Sequence, residues 1–354
     1  MSTFSWLGAI EELSPTALTV RAQTISPNDN GTLLWDIFMP RRDVDSVELE
    51  DVTTLDYRPA ADRREWNGRG RYVPVKTPDT RKVSVVPIEA YDKIDEYEMQ
   101  RLNERALGNS GVIQRLIGTS LPARVDRLAE AVYRRLELDF VKAWTDGQIV
   151  QRNPQNGATY TASFGISSSR LTTAGTAWND GGVNAYDLFL TWYMSALDLA
   201  GPGEGVMLRQ ATFNAIQADA PNAFTGTATP RLTRRDLEAR IQDETGAAFR
   251  FYINENSVDV FDDGGTAITR TKVWPAQHVA YIPAGRRVGN TAFAPVVRAM
   301  DMSASAGGAA AVDVRGLTVF YDAAGAGRDL TIEAQANAVP VPDEQKVVVI
   351  DAGV

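Results

Sequence analysis

No cysteine occurs in the 354 residues, and His278 is the only histidine. These two scarcities exclude disulfides, thiolate chemistry and any zinc site built on Cys or His ligands. A Ser-His-Asp triad would have to use His278, which lies in "WPAQHVAYIPAG". That stretch reads as a strand, and its histidine as a packing or surface residue rather than a general base. No run approaches the ~20 apolar residues of a membrane span. The first residues, "MSTFSWLGAIEELSP", lack a basic start, a long apolar core and a small-residue cleavage site, so the chain is expected to be cytosolic when made. Lysine is scarce, 6 against 30 arginines; arginine favours planar, bidentate contacts at interfaces, although a GC-rich coding bias gives the same ratio. Net positive charge is missing too: 36 basic against 45 acidic residues leave −9, a field that repels polyphosphate unless one face segregates the cations.

Nucleotide chemistry is disfavoured by the same kind of absence. "GPGEGVML" lacks the strand-GxGxxG-helix context, and no GxxxxGK followed by Ser or Thr exists. "DVFDDGG" lacks the spaced ligands and terminal Glu of a calcium loop, and residues 262–265 read as a hairpin turn. Hydrolysis by a carboxylate pair needs only Asp and Glu, but no pattern favours it. No catalytic, cofactor-binding or metal-binding residue is assigned, and no cofactor is expected.

What the chain does have is length and 44% hydrophobic composition, enough for a real core and one to three domains. Residues 1–32 show no sustained periodicity and read as an extended arm. From Leu33 to about Ala90 the chain resembles a long β excursion: "LLWDIFMPRRDVDSVELEDV" goes out, with Leu33, Trp35, Ile37 and Met39 alternating, and "RYVPVKTPDTRKVSVVPIEA" comes back. An arm of ~25 residues spans roughly 80 Å when extended, against a radius of gyration of ~20 Å for a compact chain of this length. Such a hairpin cannot fold away inside its own globule.

The strongest helix signal covers 121–146. Leu121, Val125, Leu128, Val132, Leu136, Phe140 and Trp144 recur at three- and four-residue steps, with Ser120 as cap, Pro122 in the first turn and Gly147 as stop. This spine would be ~39 Å long. A hairpin turning at 153–157 follows, then an apolar helix from Asn184 to Gly201 that is expected to be buried all round. "RQATFNAIQAD" and "TRRDLEARIQDETG" read as amphipathic helices, the latter capped by Thr233 and stopped by Gly246. Strands then dominate: "AAFRFYI", "SVDVF", "TAITRTKVW", "HVAYIPAG", "GLTVFYD", "DLTIEAQA" and "KVVVID". "SASAGGAAAVD" reads as a surface loop. The class is α+β.

Within the excursion, "DRREWNGRGRYVPV" interleaves Arg63, Arg64, Arg69 and Arg71 with Trp66 and Tyr72. Three readings stay open: single-stranded nucleic acid held on phosphates and stacked bases, a solvated loop, or a subunit contact. Residues 43–56 carry six acidic and no basic residues, among them Asp43, Asp45, Glu48 and Glu50; residues 58–76 carry six basic and two acidic ones. Opposite blocks on one excursion favour docking onto a neighbouring copy, with Arg and Trp as anchors.

The order of these features, ending in "GLTVFYDAAGAGRDLTIEAQANAVPVPDEQKVVVI", resembles the lambda-type major capsid proteins of tailed bacteriophages. That resemblance implies the Hong Kong 97-like capsid fold: an N-terminal arm (1–32), an extended loop (33–92), a peripheral domain with the spine helix (93–182), an axial domain (183–298), a return to the peripheral domain (299–340) and a C-terminal strand (341–354). It implies a virion shell subunit that forms pentamers and hexamers and encloses double-stranded DNA without reading its sequence. Portal, scaffold and decoration proteins are the implied partners, with no membrane and no enzymatic activity. Some relatives cross-link Lys to Asn, and neither partner can be matched here. No helical scaffolding domain of ~100 residues precedes the spine, so a separate scaffold or the arm itself would guide assembly. Encapsulin-like compartment shells are the nearest alternative.

Overall fold

The computed structural model describes residues 15–25, 33–53, 79–94, 96–105, 110–152, 159–220, 232–261, 268–297, 299, 313, 315–324 and 329–354. Where an extended arm was expected, residues Pro15–Thr24 form helix α1. Leu18 and Ala22, one turn apart, are buried with Thr19. The Thr19 hydroxyl accepts from the Val319 amide at 2.9 Å and donates to its carbonyl at 3.2 Å. Such a short apolar stripe is held by tertiary contacts rather than by its own pattern.

The alternation from Leu33 to Met39 also misleads. The chain forms a one-turn helix, α2 (Trp35–Phe38), in which Trp35 and Phe38 are buried together with Met39 just beyond it, while Ile37 is exposed. That is the i, i+3, i+4 spacing of a helix face. After β1 (Arg41–Asp43), strands β2 (Glu48–Thr53) and β3 (Asp79–Ser84) form the out-and-back hairpin, in register from Glu48↔Ser84 to Thr53↔Asp79. The hairpin ends at Ser84, short of Ala90. β4 (Pro87–Ile94) instead pairs with β15 (Asp329–Pro342) in the body of the molecule.

After α3 (Glu96–Arg105), the spine α4 runs over Ser110–Thr145 as 36 residues, about 54 Å. It starts before the expected Leu121, so Ser120 is not its cap and Pro122 lies inside it. A proline inside a helix lacks the donor for one backbone bond, which is why it reads as a start. The stripe itself is as expected: Leu121, Val125, Leu128, Val132, Leu136, Phe140 and Trp144 are all buried. Against it packs a sheet in which β1 runs parallel to β13 (Gly289–Ala294), and β15 pairs β13, β14 (Thr318–Ala324) and β4. β5 (Gln148–Arg152) and β6 (Thr159–Ser163) make the expected hairpin.

A second core surrounds the sheet β7 (Leu171–Thr173), β16 (Val349–Asp351), β12 (His278–Pro283), β8 (Gly203–Leu208), β9 (Phe251–Ile253), covered by α5 (Ala185–Ala200), α6 (Gln210–Asp219) and α7 (Arg234–Thr245). The glycine-rich "GPGEGVML" thus contributes an inner strand. At Gly205, φ is +144° and a Cβ would sit 1.9 Å from the Arg250 carbonyl oxygen, so only glycine admits this approach. Asn184 caps α5 by accepting from the Tyr186 and Asp187 amides, and Thr233 and Asp236 form the capping box of α7. α5 is not buried all round: Tyr186, Phe189 and Tyr193 face the core, while Leu188, Met194 and Leu199 are exposed. β10 (Ser257–Phe261) and β11 (Ile268–Lys272) form a separate ribbon. The stretch 62–75, both hairpin turns at 153–157 and 262–265, and residues 303–312 lie outside the described residues.

Candidate assembly interfaces

The described acidic residues of the excursion lie on β1, in the bend that follows it and on β2. Asp43 ends β1, opposite Phe293 of β13, and accepts from Arg41 Nε at 2.7 Å. Arg41 also pairs with Asp313 and lies 5.0 Å from the Phe293 ring centroid. Asp45 pairs with Arg315 at 2.5 Å. Glu48 opens β2, and Glu50 stands opposite Lys82, as Asp51 does opposite Arg81. Thus Asp43 and Asp45 meet arginines of their own chain, and β2 faces a basic return strand. Arg63, Arg64, Trp66, Arg69 and Arg71 lie outside the described residues.

The root of the excursion is fixed by Glu137 on the spine, which the sequence reading did not single out. Its Oε2 accepts from the amides of Leu34 (2.8 Å) and Trp35 (2.9 Å), capping α2. The side chain is fully buried, and burial pushes its carboxyl up to about 7 against the two amide hydrogen bonds. A signal was present: Tyr133, Glu137, Phe140 and Trp144 share helical spacing, which places an acid on the apolar stripe.

Another two-stranded element, the β10–β11 ribbon, packs its root near the C-terminal end of the spine. Val258, Val273 and Trp274 bury the ribbon's root in the spine core, with Trp144 and Trp274 edge-on at 5.3 Å. Glu255 ties it to α6, accepting from the Gln210 amide at 3.0 Å and pairing with Lys272 at 3.0 Å and Arg209 at 3.4 Å. That amide first, then the cations, holds the Glu255 carboxyl down at about 2. All five residues of β11 are exposed. His278 opens β12 half-buried; its carbonyl accepts from Trp274 Nε1 at 2.9 Å, and its Nε2 lies 3.9 Å from Asp146. This is a packing environment.

A prophage capsid-protein structure from E. coli CFT073 matches with a TM-score of 0.52 at 14% identity, covering 99% of both chains. The virus-like particle of Pyrococcus furiosus gives 0.43 at 8% identity, covering 96% of this chain and 100% of that one. The capsid of Myoviridae phage XM1 gives 0.42 at 12%, covering 92% and 90%. No curated protein sequence matches the chain. The fold is the Hong Kong 97-like one of tailed-phage major capsid proteins. The family profile described as phage major capsid protein E matches residues 14–350. A match of that extent takes in both cores and the excursion together, so the chain belongs to the phage major capsid protein E family and is a structural subunit of the virion's head shell.

Proposed function

We propose that neighbouring subunits of the shell are joined through the β2–β3 excursion, with Arg63, Arg64, Arg69 and Arg71 as its basic contacts, Trp66 as an aromatic anchor and Glu48 and Glu50 as its acidic contacts. Asp43 and Asp45 serve mainly to fix the root, through Arg41 and Arg315. The supporting observation is that, among the described residues, β2 and β3 form a sheet of two strands joined to no third. A lone two-stranded hairpin is marginal in water, and its open edges need cover. In this reading residues 93–182 form the peripheral domain and 183–298 the axial domain around fivefold and quasi-sixfold axes. The chain returns to the peripheral domain over 299–340 and ends in the strand region 341–354. The shell assembles in the host cytoplasm, with portal, scaffold and decoration proteins as partners. It encloses double-stranded DNA through non-specific contacts and performs no catalysis.

Sedimentation and negative-stain microscopy of the purified chain test this. Pentamers, hexamers or closed shells are expected, because heterologous contacts close into rings. Monomer alone at every concentration and ionic strength overturns the reading. Salt-sensitive oligonucleotide binding by dispersed particles would point to a nucleic-acid-binding protein instead.

A further inference from the structure

We propose that the free edge of β2 in one subunit adds to the free edge of β11 in a neighbour, in antiparallel register, forming an intersubunit sheet β3–β2–β11–β10. The proposal rests on the shell reading, which supplies the second copy, and it names where the acidic strand docks.

The hydrogen-bond phase of each hairpin fixes which backbone groups face outward. The Val85 amide donates to the Val47 carbonyl at 2.7 Å, which makes 47 and 85 a hydrogen-bonded pair. Antiparallel pairs alternate between bonded and non-bonded. Along the register Glu48↔Ser84, Glu50↔Lys82 and Val52↔Thr80, this leaves the N–H and C=O of Glu48, Glu50 and Val52 facing away from β3; the Glu48 amide donates to the exposed Ser46 hydroxyl at 3.1 Å, a bond that docking exchanges for one to the neighbour. In the ribbon, the Val273 amide donates to the Asn256 carbonyl at 3.0 Å. By the same alternation along Ser257↔Lys272 and Asp259↔Arg270, the outward groups of β11 belong to Ile268, Arg270 and Lys272.

These two sets of three match in one antiparallel register. Glu48 meets Lys272, Glu50 meets Arg270, and Val52 meets Ile268: two acid–base pairs and one apolar pair, each at a bonding position. A slip of one residue sets outward groups against inward ones and forms no ladder. A slip of two, or a parallel arrangement, sets an acid or a cation against an aliphatic side chain. Ile268 is 65% exposed within its own subunit, an apolar residue on the edge strand. Positive charge on an edge strand keeps like strands away, so β11 repels another β11 and β2 repels another β2, while each accepts the other. The contact is therefore heterologous, the kind that closes rings. The intrachain bonds of the two cations leave room for it. Lys272 spends its ammonium on the Glu255 carbonyl and carboxylate, with its side chain still 43% exposed. Arg270 donates its Nε to Ser257 Oγ, at 2.9 Å.

A chain without cysteine allows a clean cross-linking test. In the proposed register Asp51 and Thr269 form a non-bonded pair, the kind with the closer side chains. Shells of Asp51→Cys/Thr269→Cys, oxidised and run on a denaturing gel, should give a ladder of covalent oligomers that reductant collapses. Asp51→Cys/Asp259→Cys, which moves the second thiol to the far strand, should run as monomer. Shells that give no ladder, or equal ladders for both pairs, overturn the docking and leave the shell reading standing. Failure of the unaltered chain to assemble overturns both. Separately, Arg270→Glu/Lys272→Glu should lower the assembled fraction about tenfold, and adding Glu48→Lys/Glu50→Arg should restore it. Unchanged assembly by the first variant refutes the proposal.

Discussion

Among the described residues, Glu137 is held inside the spine core by two amides and no cation. In the folded state burial raises its carboxyl from 4.5 to about 7. Between those values the folded chain binds a proton that the unfolded chain has released. Its contribution is therefore greatest at low pH and is lost as pH rises from 4.5 through about 7. The loss is roughly 3 kcal/mol. In Glu137→Gln, denaturant midpoints measured at pH 5 and pH 8 should differ less than in the unaltered chain, because the glutamine oxygen keeps the α2 amides bonded without a titrating group. Glu137→Ala should instead destabilise at both pH values by about 1–3 kcal/mol or more, since it strands the amides of Leu34 and Trp35. An unchanged pH dependence in the glutamine variant would show that this carboxyl does not titrate in the core.

Among the elements, the spine is the one whose failure should be total. Val132 and Leu136 are buried at its centre, and an aspartate at either position puts an unpaired charge where no cation can follow. Breaking a buried charge balance costs about 3–5 kcal/mol, a large share of the 5–15 kcal/mol that stabilises a typical domain. Val132→Asp and Leu136→Asp should yield insoluble or unfolded chain by circular dichroism; soluble subunits that assemble normally would contradict the packing. This helix was legible because its stripe repeats over many turns, and the β5–β6 hairpin and the caps of α7 were legible from local chemistry. Elements decided by distant contacts were not. Four residues from Trp35 fit a strand and a helical turn equally well, and the choice rests on Glu137, about a hundred positions away in sequence. α1 carries too few apolar residues to show a period, and Pro122 disguised the true start of α4. The candidate interface was legible in part for the same reason. The charge blocks are visible in the sequence, but the pairing of Asp45 with Arg315 depends on folding the chain, and so does the exposed edge of β11.

For the whole molecule, the formal charge of −9 means that subunits approaching one another repel before any contact forms. In the proposed reading, the basic block in the excursion offsets that repulsion where copies meet. Changing Arg63, Arg64, Arg69 and Arg71 to Glu should abolish shells, although a single exposed pair is worth only ~0–1 kcal/mol, because the loss recurs at every contact that must close together. The same change also makes each subunit more negative, so salt must separate the two causes. Raising ionic strength from 0.1 M to 1 M shortens the screening length from about 10 Å to about 3 Å, which removes long-range repulsion but does not recreate a lost contact. Compensation by changing Asp43 and Asp45 to Lys is not a clean control, since it strips Arg41 and Arg315 of partners within their own chain. Light scattering and microscopy of the four-arginine variant should therefore show no shells at either salt concentration. Shells recovered at 1 M would mean that the arginines act only through bulk charge. Shells formed at 0.1 M, together with loss of oligonucleotide binding, would move the stretch from subunit contact to nucleic acid.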